Sequence, residues 1–280
     1  MMIVNRIGGA IGAEISGLDL AVASDVAIAA LRSAWLEHGV VVVLNQGHLT
    51  PAQYLGFARR IGTPIEYPFV RGLAEFPEII EVKKLEHERV NFGGIWHTDT
   101  AYLERPPMAS MLLALEIPPY GGDTEFASLT AAYNALSDGM KALLAPLQAV
   151  NSSANADVSK TREDRIKSDG READRKVYEA VHPVVRVHPE TGKKALYVNM
   201  AHTARFEGMT DEESASILKF LFAHSVRAEF TCRVRWAVGS LALWDNRAAL
   251  HNPVNDYHGF RRVMQRITLA GDKPSGSHEN

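Results

Sequence analysis

The hydrophobic positions in the first sixty residues follow two periods, which predicts helices that alternate with buried strands. Ser24 is the expected N-cap of an amphipathic helix that runs to about His38. The apolar run VVVVL at 40–44 is typical of a buried strand. Thr50 and Pro51 have the N-cap and first-turn residue types that begin a second helix. The first part of the chain therefore alternates helix and strand.

From Glu78 onward the pattern changes to short strands separated by turn signals. These strands are expected at EIIEVKK, MASMLLALEI, DTEFAS, PVVRVH, KALYVN, FTCRVRW, SLALWD and RRVMQRITLA. Two helical inserts interrupt them, near residues 129–145 and 211–226. Turn signals such as PETGKK suit an antiparallel barrel or jelly roll better than a parallel sheet. The predicted fold class is mainly β with flanking helices.

The segment at 160–176 departs from this pattern because it holds twelve charged residues, seven basic and five acidic. Only Ile166 and Ala173 are apolar there, so the segment cannot pack into a core. It is either a solvated surface insert or a lid that closes over a site. We expect one domain over residues 1–280, with this insert or lid at about 155–178.

Composition narrows the possible classes of protein. Hydrophobic residues make up 46% of the chain and charged residues 22%, the balance of a folded globular protein. The 30 Lys and Arg nearly offset the 33 Asp and Glu, so the net charge of -3 argues against nucleic-acid binding. The single cysteine, Cys232, excludes an internal disulfide and suits a reducing compartment. With no secretory signal at the start and no stretch long enough to span a bilayer, we expect a cytoplasmic protein without a membrane partner.

The motif WHTDTAY contains the first candidates for chemistry. In an extended chain, the two-residue spacing of His97 and Asp99 points both side chains the same way. His251 follows a strongly apolar strand that a barrel can fold back beside them. Two histidines and one carboxylate on one face of a metal leave three positions open, as in non-haem Fe(II) oxygenases. Taken alone, a His-x-Asp pair more often belongs to an ordinary polar network, so the spacing leaves both interpretations open.

Two arginines lie four residues apart on the last predicted strand. Arg262 and Arg266 therefore face the same side of it. Met264 and Thr268 make that side otherwise apolar. Guanidinium groups inside a barrel need partners. These partners are either internal acids or anionic ligands, since arginine binds carboxylates through paired hydrogen bonds.

Five motifs in the same order make the sequence resemble a known family. They are GAEISGLDL, WHTDTAYLERPP, GGDTEFASL, HPVVRVHPETGKKALYVN and WDNRAALHNPVNDYHGFRRVMQRITLAGDKP. Over nearly its whole length the chain is similar to the Fe(II)- and 2-oxoglutarate-dependent dioxygenases of the taurine and aryloxyalkanoate dioxygenase (TauD/TfdA) family. This resemblance implies a double-stranded β-helix, a distorted jelly roll of the cupin type, in agreement with the strand pattern.

The resemblance also implies a role for each matching residue. His97, Asp99 and His251 match the catalytic iron ligands. Thr124 and Arg262 match the pair that binds the far carboxylate of 2-oxoglutarate. The implied cofactors are Fe(II), 2-oxoglutarate as cosubstrate, and O2. Halogenating relatives lack the carboxylate ligand, so the presence of Asp99 disfavours halogenation.

The primary substrate is the least determined part of the resemblance. Arg266 matches the position that holds the anionic group of the substrate in taurine dioxygenase. Tyr67 and Gly93 replace a histidine and an asparagine that contact taurine in that enzyme, so taurine itself is not expected. Loss of both polar groups implies an anionic substrate with a larger or more apolar body. The residues expected around it are Tyr67, Phe69, Val70, Asn91, Phe92 and Thr100.

The implied reaction is hydroxylation of a small anionic molecule, such as a sulfonate, an aryloxyalkanoate or a sulfate ester, with release of succinate and CO2. Hydroxylation of a carbon that bears a heteroatom can cleave a C–O, C–N or C–S bond. One alternative is a desaturase or other oxidative tailoring enzyme with the same iron centre. A second alternative is a metal-free binding or sensory jelly roll. We also expect a homo-oligomer, either a dimer or a tetramer.

Overall fold

The computed structural model of the chain describes residues 1–68, 70–91, 93–155 and 177–276. Two residues expected near the substrate, Phe69 and Phe92, lie outside the described residues. The charged segment predicted as an insert or lid lies outside them as well. Along the described chain, no helix combines the length and the apolar character needed to cross a membrane.

The described residues form many strands and a smaller number of helices. The helices are α1 (Asp25–His38), α2 (Pro51–Ile61), α3 (Leu129–Asn134), α4 (Asp138–Leu144) and α5 (Asp211–Ser225), with short 3-10 turns at Ser153–Asn155 and Ala228–Phe230. The strands are β1 (Ile3–Arg6), β2 (Ala13–Ser16), β3 (Val40–Val43), β4 (Pro64–Ile65), β5 (Ile79–Lys84), β6 (Ala109–Glu116), β7 (Thr124–Ser128), β8 (Gln148–Ser152), β9 (Glu179–Pro183), β10 (Val185–Val187), β11 (Lys194–Leu196), β12 (Thr203–Phe206), β13 (Thr231–Val234), β14 (Leu241–Asp245), β15 (Ala249–Pro253) and β16 (Arg262–Leu269).

Two sheets enclose the interior of the jelly roll. The major sheet is eight-stranded in the order β1-β2-β3-β14-β6-β16-β4, and β5 also pairs with β16. The minor sheet has the order β13-β7-β15. All of these pairings are antiparallel except that of β2 with β3. The predicted fold class, mainly β with flanking helices, is confirmed.

The central strands of the major sheet are apolar on both faces, because each face is covered. In β6, Met111 and Leu113 belong to the core that α1 and α2 complete. Leu112 and Ala114 belong to the core between the two sheets. The same alternation in β16 sends Ile267 to the helix side and the even-numbered residues to the interior. The hydrophobic pattern therefore determines which β16 side chains reach the interior.

Local sequence signals set the helix ends. Ser24 and Thr50 accept hydrogen bonds from backbone N–H groups in the first turns of α1 and α2, as predicted. The helical pattern near 129–145 forms two helices, because Ser137 caps a new one by accepting from the Met140 N–H.

Strand β15 was not predicted, since its sequence ALHNP has no alternating apolar pattern. Its pairing with β7 supplies the strand geometry instead.

Candidate active site

The backbones of His97 and His251 are joined directly. His97 N donates to His251 O at 3.0 Å, and His251 N donates to His97 O at 2.8 Å. His251 lies in β15, whereas His97 forms only this isolated bridge. Asp99 and Thr100 then lie in a turn, with Thr100 at φ +40°. The turn after the bridge, rather than a continuous strand, brings the carboxylate back towards both histidines.

The side chains of the three predicted iron ligands converge. Asp99 Oδ1 lies 3.8 Å from Nε2 of His97 and 3.8 Å from Nε2 of His251. One ligand atom from each of the three residues lies within 4.8 Å of the others, and all three residues are buried. Two donor atoms bonded to one first-row metal at about 2.1 Å lie at most about 4.2 Å apart, and both distances from Asp99 Oδ1 meet that limit. The spacing of these donor atoms therefore suits a single metal ion.

The donor atoms are also in the protonation states that metal binding requires. His97 Nδ1 donates to Ile95 O at 2.7 Å, which leaves the lone pair on Nε2. Burial lowers the pKa of His97 and lowers that of His251 further, so both rings are neutral. Burial opposes ionisation of Asp99, but the Arg266 guanidinium, the two histidines and the Ser110 hydrogen bond together outweigh it and hold the carboxyl pKa below its usual range. Two neutral imidazoles and one carboxylate fit Fe(II).

The two oxygens of Asp99 have separate environments. Oδ2 accepts a hydrogen bond from Ser110 Oγ at 2.6 Å and lies 2.7 Å from Arg266 Nη2. Asn246 Nδ2 in turn donates to Ser110 Oγ at 3.1 Å. Oδ1 faces the histidines. Ser110, Asn246 and Arg266 thus fix the carboxylate so that one oxygen is left for the metal.

A pocket lies beside the histidines, on the interior face of β16. Its apolar lining consists of Val82, Leu112, Phe126, Trp236, Trp244 and Pro253. Arg262 and Thr124 also line it. Arg262 is buried, and its Nε and Nη2 have no hydrogen-bond partner. Thr124 Oγ1 accepts from Trp236 Nε1 at 3.0 Å, which leaves its own hydroxyl hydrogen to donate. The pocket therefore offers unused donors to an anion, and both histidines line it as well.

The two arginines share a face, as predicted, but their surroundings differ. Arg266 pairs with an internal acid, Asp99, whereas Arg262 forms no ion pair with any described residue. Arg266 Nε is also buried without a partner. Each arginine therefore keeps at least one hydrogen-bond donor for a ligand.

A comparison with protein families agrees with this site. The model of the family described as "Taurine catabolism dioxygenase TauD, TfdA family" matches residues 4–268. The chain belongs to the TauD/TfdA family. It is an enzyme, a dioxygenase that uses Fe(II), 2-oxoglutarate and O2. The metal-free alternative is therefore not supported.

Individual members of the TauD/TfdA family match the chain over almost all of its length. An alpha-ketoglutarate-dependent sulfate ester dioxygenase of Pseudomonas putida is 36% identical, over 98% of this chain and 91% of that protein. An alkylsulfatase of Acinetobacter baylyi is 35% identical, over 98% of this chain and 87% of that protein. The crystal structure of a taurine dioxygenase from Burkholderia xenovorans superimposes with a TM-score of 0.84 at 34% identity, and the match covers 100% of this chain and 94% of that one.

Two of the residues expected near the substrate, Tyr67 and Thr100, lie close to Arg266 or to the predicted iron ligands, and a third, Val70, is hydrogen-bonded to Tyr67. The Arg266 guanidinium carbon is 5.1 Å from the centre of the Tyr67 ring. Thr100 follows Asp99 directly, and its buried Oγ1 has no hydrogen-bond partner. Val70 is half-buried, and its N–H donates to Tyr67 O at 3.4 Å. Their roles in this TauD/TfdA enzyme stay predictions.

Asn91, also expected near the substrate, has its amide engaged by the protein. Its Oδ1 accepts from the Tyr257 hydroxyl at 2.8 Å. Its Nδ2 donates to the carbonyl oxygens of Pro253 at 3.4 Å and Val254 at 3.1 Å. These hydrogen bonds join the segment before His97 to the last residue of β15 and the residue that follows it. They favour a positioning role, and contact with the substrate remains a prediction.

His202 was not predicted and lies beside the iron ligands. Its ring centre is 6.1 Å from that of His97 and 5.0 Å from that of Tyr102. Its Nδ1 is buried without a hydrogen-bond partner, and burial lowers the pKa of the ring to about 3. A single histidine in NMAHTARF, far along the chain from the other ligands, gives no spacing signal. Only the tertiary fold shows that His202 belongs to this site.

Gly93 has a steric role that its sequence position does not show. Its φ is +73°, and a Cβ there would lie 2.8 Å from Cε1 of His97. The His97 ring therefore occupies the space that a side chain at position 93 would need. A substituent at this position would push a predicted iron ligand out of place.

We expect Gly93→Ala to weaken metal binding about tenfold, because the left-handed backbone costs a non-glycine residue about 1–2 kcal/mol and the new methyl group displaces His97. Titration of the purified protein with Co(II), followed by its visible absorption, measures the effect. Gly94→Ala is the matched control, since a Cβ there would come no closer than 4.0 Å to another atom. Equal Co(II) affinity in both variants would show that the contact with His97 does not position the ligand.

Proposed function

We propose that this enzyme oxidises a small organic anion, and that sulfate esters are its substrate class. The observation that supports an anionic substrate is the position of Arg266. This side chain is 4% exposed, lies 2.7 Å from the carboxylate of an iron ligand and keeps an unpartnered Nε. An anion bound to Arg266 would lie next to the metal. The sulfate ester class is supported by the two relatives named above, which are 36% and 35% identical.

Arg262 and Thr124 would bind the far carboxylate of 2-oxoglutarate. Both line the pocket beside the histidines, and both have donors that no described residue uses. The apolar walls of the pocket suit the carbon chain between the two carboxylates. Binding in this direction leaves the 2-oxo acid end of the cosubstrate towards His97 and His251. The role of the pocket residues is to orient the cosubstrate and to exclude water from it.

When bound, Fe(II) supplies the oxidative chemistry: one atom of O2 enters succinate as 2-oxoglutarate loses CO2, and the other hydroxylates the substrate. On a sulfate ester, hydroxylation of the carbon that bears the ester oxygen gives an unstable adduct. That adduct releases hydrogen sulfate and leaves an aldehyde. The balanced reaction converts the ester, O2 and 2-oxoglutarate into aldehyde, hydrogen sulfate, succinate and CO2.

The body of the substrate would lie against aromatic side chains. Tyr67 and Tyr102 are buried near Arg266, and burial raises the pKa of the Tyr102 hydroxyl, so it stays protonated. His202 contributes a neutral ring with an unused Nδ1. Thr100 adds an unused hydroxyl. These side chains combine apolar contact with a few polar groups. This combination supports a substrate that is an anion with an alkyl or aryl body.

A substrate panel tests the proposal. Succinate formation is measured with hexyl sulfate, hexanesulfonate, 2-phenoxypropionate and the neutral control 1-hexanol. We expect hexyl sulfate to stimulate it most, with one sulfate and one hexanal formed for each succinate. The neutral alcohol is expected to give only the background rate, because it has no charge for Arg266 to bind.

The other outcomes of the panel have definite meanings. A preference for the sulfonate or the phenoxypropionate would replace the sulfate ester class while keeping the anion. Equal stimulation by 1-hexanol would contradict an anionic substrate. An alkene product would favour the desaturase alternative.

We further propose that residues 1–280 form one catalytic domain, since the family match covers 4–268 and the major sheet includes both Ile3–Arg6 and Arg262–Leu269.

A cytoplasmic location is supported by Cys232, a buried thiol whose pKa burial raises to about 12. Fractionation of the source cells tests the location. A homo-oligomer, dimer or tetramer, is compatible with large exposed side chains such as Tyr120 and Phe220, and light scattering tests it.

A further inference from the structure

A second buried cation lies beside Arg262. In the antiparallel pairing of β5 with β16, Lys84 is the residue directly opposite Arg262. Residues directly opposite each other place their side chains on the same face of a sheet. Val82, two residues before Lys84 and therefore on that face, lines the pocket. Lys84 is 5% exposed, and its Nζ has no hydrogen-bond partner.

Tyr257 contacts both cations. Lys84 Nζ lies 4.2 Å from the centre of the Tyr257 ring. The Arg262 side chain hydrogen-bonds Tyr257, whose hydroxyl donates to Asn91 Oδ1. Contact with an aromatic face compensates only a small part of the cost of burying a charge. The cluster therefore contains two cationic side chains and lacks an anion among the described residues.

The nearest acids already have other partners. Glu88 attracts Lys84 electrostatically, but its Oε2 accepts from the Leu85 N–H at 2.6 Å. Asp123 attracts Arg262 electrostatically, but it pairs with Arg233 at 2.7 Å. In the part of the chain that the structure describes, neither Lys84 nor Arg262 forms an ion pair. Two adjacent buried cations without a paired acid would be stabilised by an anionic ligand.

We propose that Lys84 is a further binding residue for the far carboxylate of 2-oxoglutarate, which it shares with Arg262 and Thr124. This inference rests on the proposed position of the cosubstrate. A carboxylate has about four lone-pair sites. Arg262 Nε and Nη2, the Thr124 hydroxyl and Lys84 Nζ supply a matching set of donors. The flexible four-carbon stem of lysine lets the ammonium move from the Tyr257 ring to the carboxylate.

The consequence is a specificity for 2-oxo diacids. A monoacid of the same chain length, 2-oxopentanoate, would chelate the metal equally well but would leave both cations without a partner. Lys84 therefore increases the preference for 2-oxoglutarate over 2-oxopentanoate. A residue that only stabilised the fold would affect the two acids alike.

The test compares Lys84→Met with Lys83→Met. Methionine keeps most of the unbranched stem of lysine and removes its charge. Lys83 is the neighbour on the opposite face of β5, and its Nζ lies 3.5 Å from Glu81. Isothermal titration of the Mn(II)-loaded proteins measures the Kd of each 2-oxo acid. We expect Lys84→Met to raise the Kd of 2-oxoglutarate about 10- to 100-fold and to leave that of 2-oxopentanoate within twofold of the parent. Lys83→Met is expected to change neither value.

Arg262→Ala, titrated in parallel, separates this inference from the proposed function. If Arg262→Ala weakens 2-oxoglutarate and Lys84→Met does not, the role of Lys84 is wrong and the cosubstrate site stands. Equal weakening of both acids by Lys84→Met would show a structural role and would also overturn it. If neither variant weakens 2-oxoglutarate, the far carboxylate binds elsewhere and both proposals fail.

Discussion

Alanine in place of His97, Asp99 or His251 is expected to abolish turnover and leave the fold intact. Each residue provides one of the three converging donor atoms, and no other described group of His, Cys, Asp and Glu residues lies in such an arrangement. Loss of a ligand should cost more than the roughly 10- to 100-fold that follows when a group that only orients a ligand is removed. Consumption of O2 with 2-oxoglutarate and Fe(II), together with Mn(II) affinity, measures the effect.

The control for this series is His48→Ala, which removes a half-exposed histidine that pairs with Asp19 away from the site. It should retain the parental rate. Circular dichroism should show the parental spectrum for all of the variants. A His251→Ala protein that still consumed O2 at near the parental rate would show that the proposed ligand set is wrong.

Removal of Arg262 and removal of Arg266 are expected to weaken the binding of two different molecules. Arg262→Ala should raise the KM for 2-oxoglutarate about 150- to 4000-fold, because loss of one partner of a buried charge pair costs about 3–5 kcal/mol. Arg266→Ala should mainly raise the KM for the anionic primary substrate. It should also weaken metal binding moderately, since Arg266 helps to hold Asp99. Both KM values are measured in both variants, together with Mn(II) affinity.

Arg261→Ala is the matched control for the arginines. Arg261 precedes Arg262, and its exposed side chain pairs with Glu116 at 3.1 Å. Its loss should change neither KM. A reversed pattern, with Arg262→Ala weakening the primary substrate and Arg266→Ala weakening 2-oxoglutarate, would show that the two roles are exchanged.

The parts of the fold that the sequence predicts are those set by local signals. The caps at Ser24 and Thr50 act within one turn, so they are visible in the sequence. The common face of Arg262 and Arg266 follows from the two-residue period of a strand. These features need no knowledge of distant residues.

The rest of the site depends on pairing between distant strands. Lys84 becomes a neighbour of Arg262 only through the register of β5 with β16. Ser110 reaches Asp99 because β6 pairs with the opposite edge of β16 from β5. His202 lies near His97 through the fold as a whole. No spacing along the chain encodes these contacts, so pattern and motif point to the candidate ligands and miss the groups around them.

The two-sided packing of β16 also bears on how this enzyme can change during evolution. Arg262 and Arg266 on its interior side line the pocket, while Ile267 and Leu269 on the other side pack with the helices. Substitutions at interior positions can therefore alter which molecules are accepted without disturbing the helix-side core. An inserted or deleted residue would instead exchange the two faces and bury a guanidinium among apolar side chains. Lineages that diverge in specificity are thus free to vary the interior residues of this strand but must keep its length.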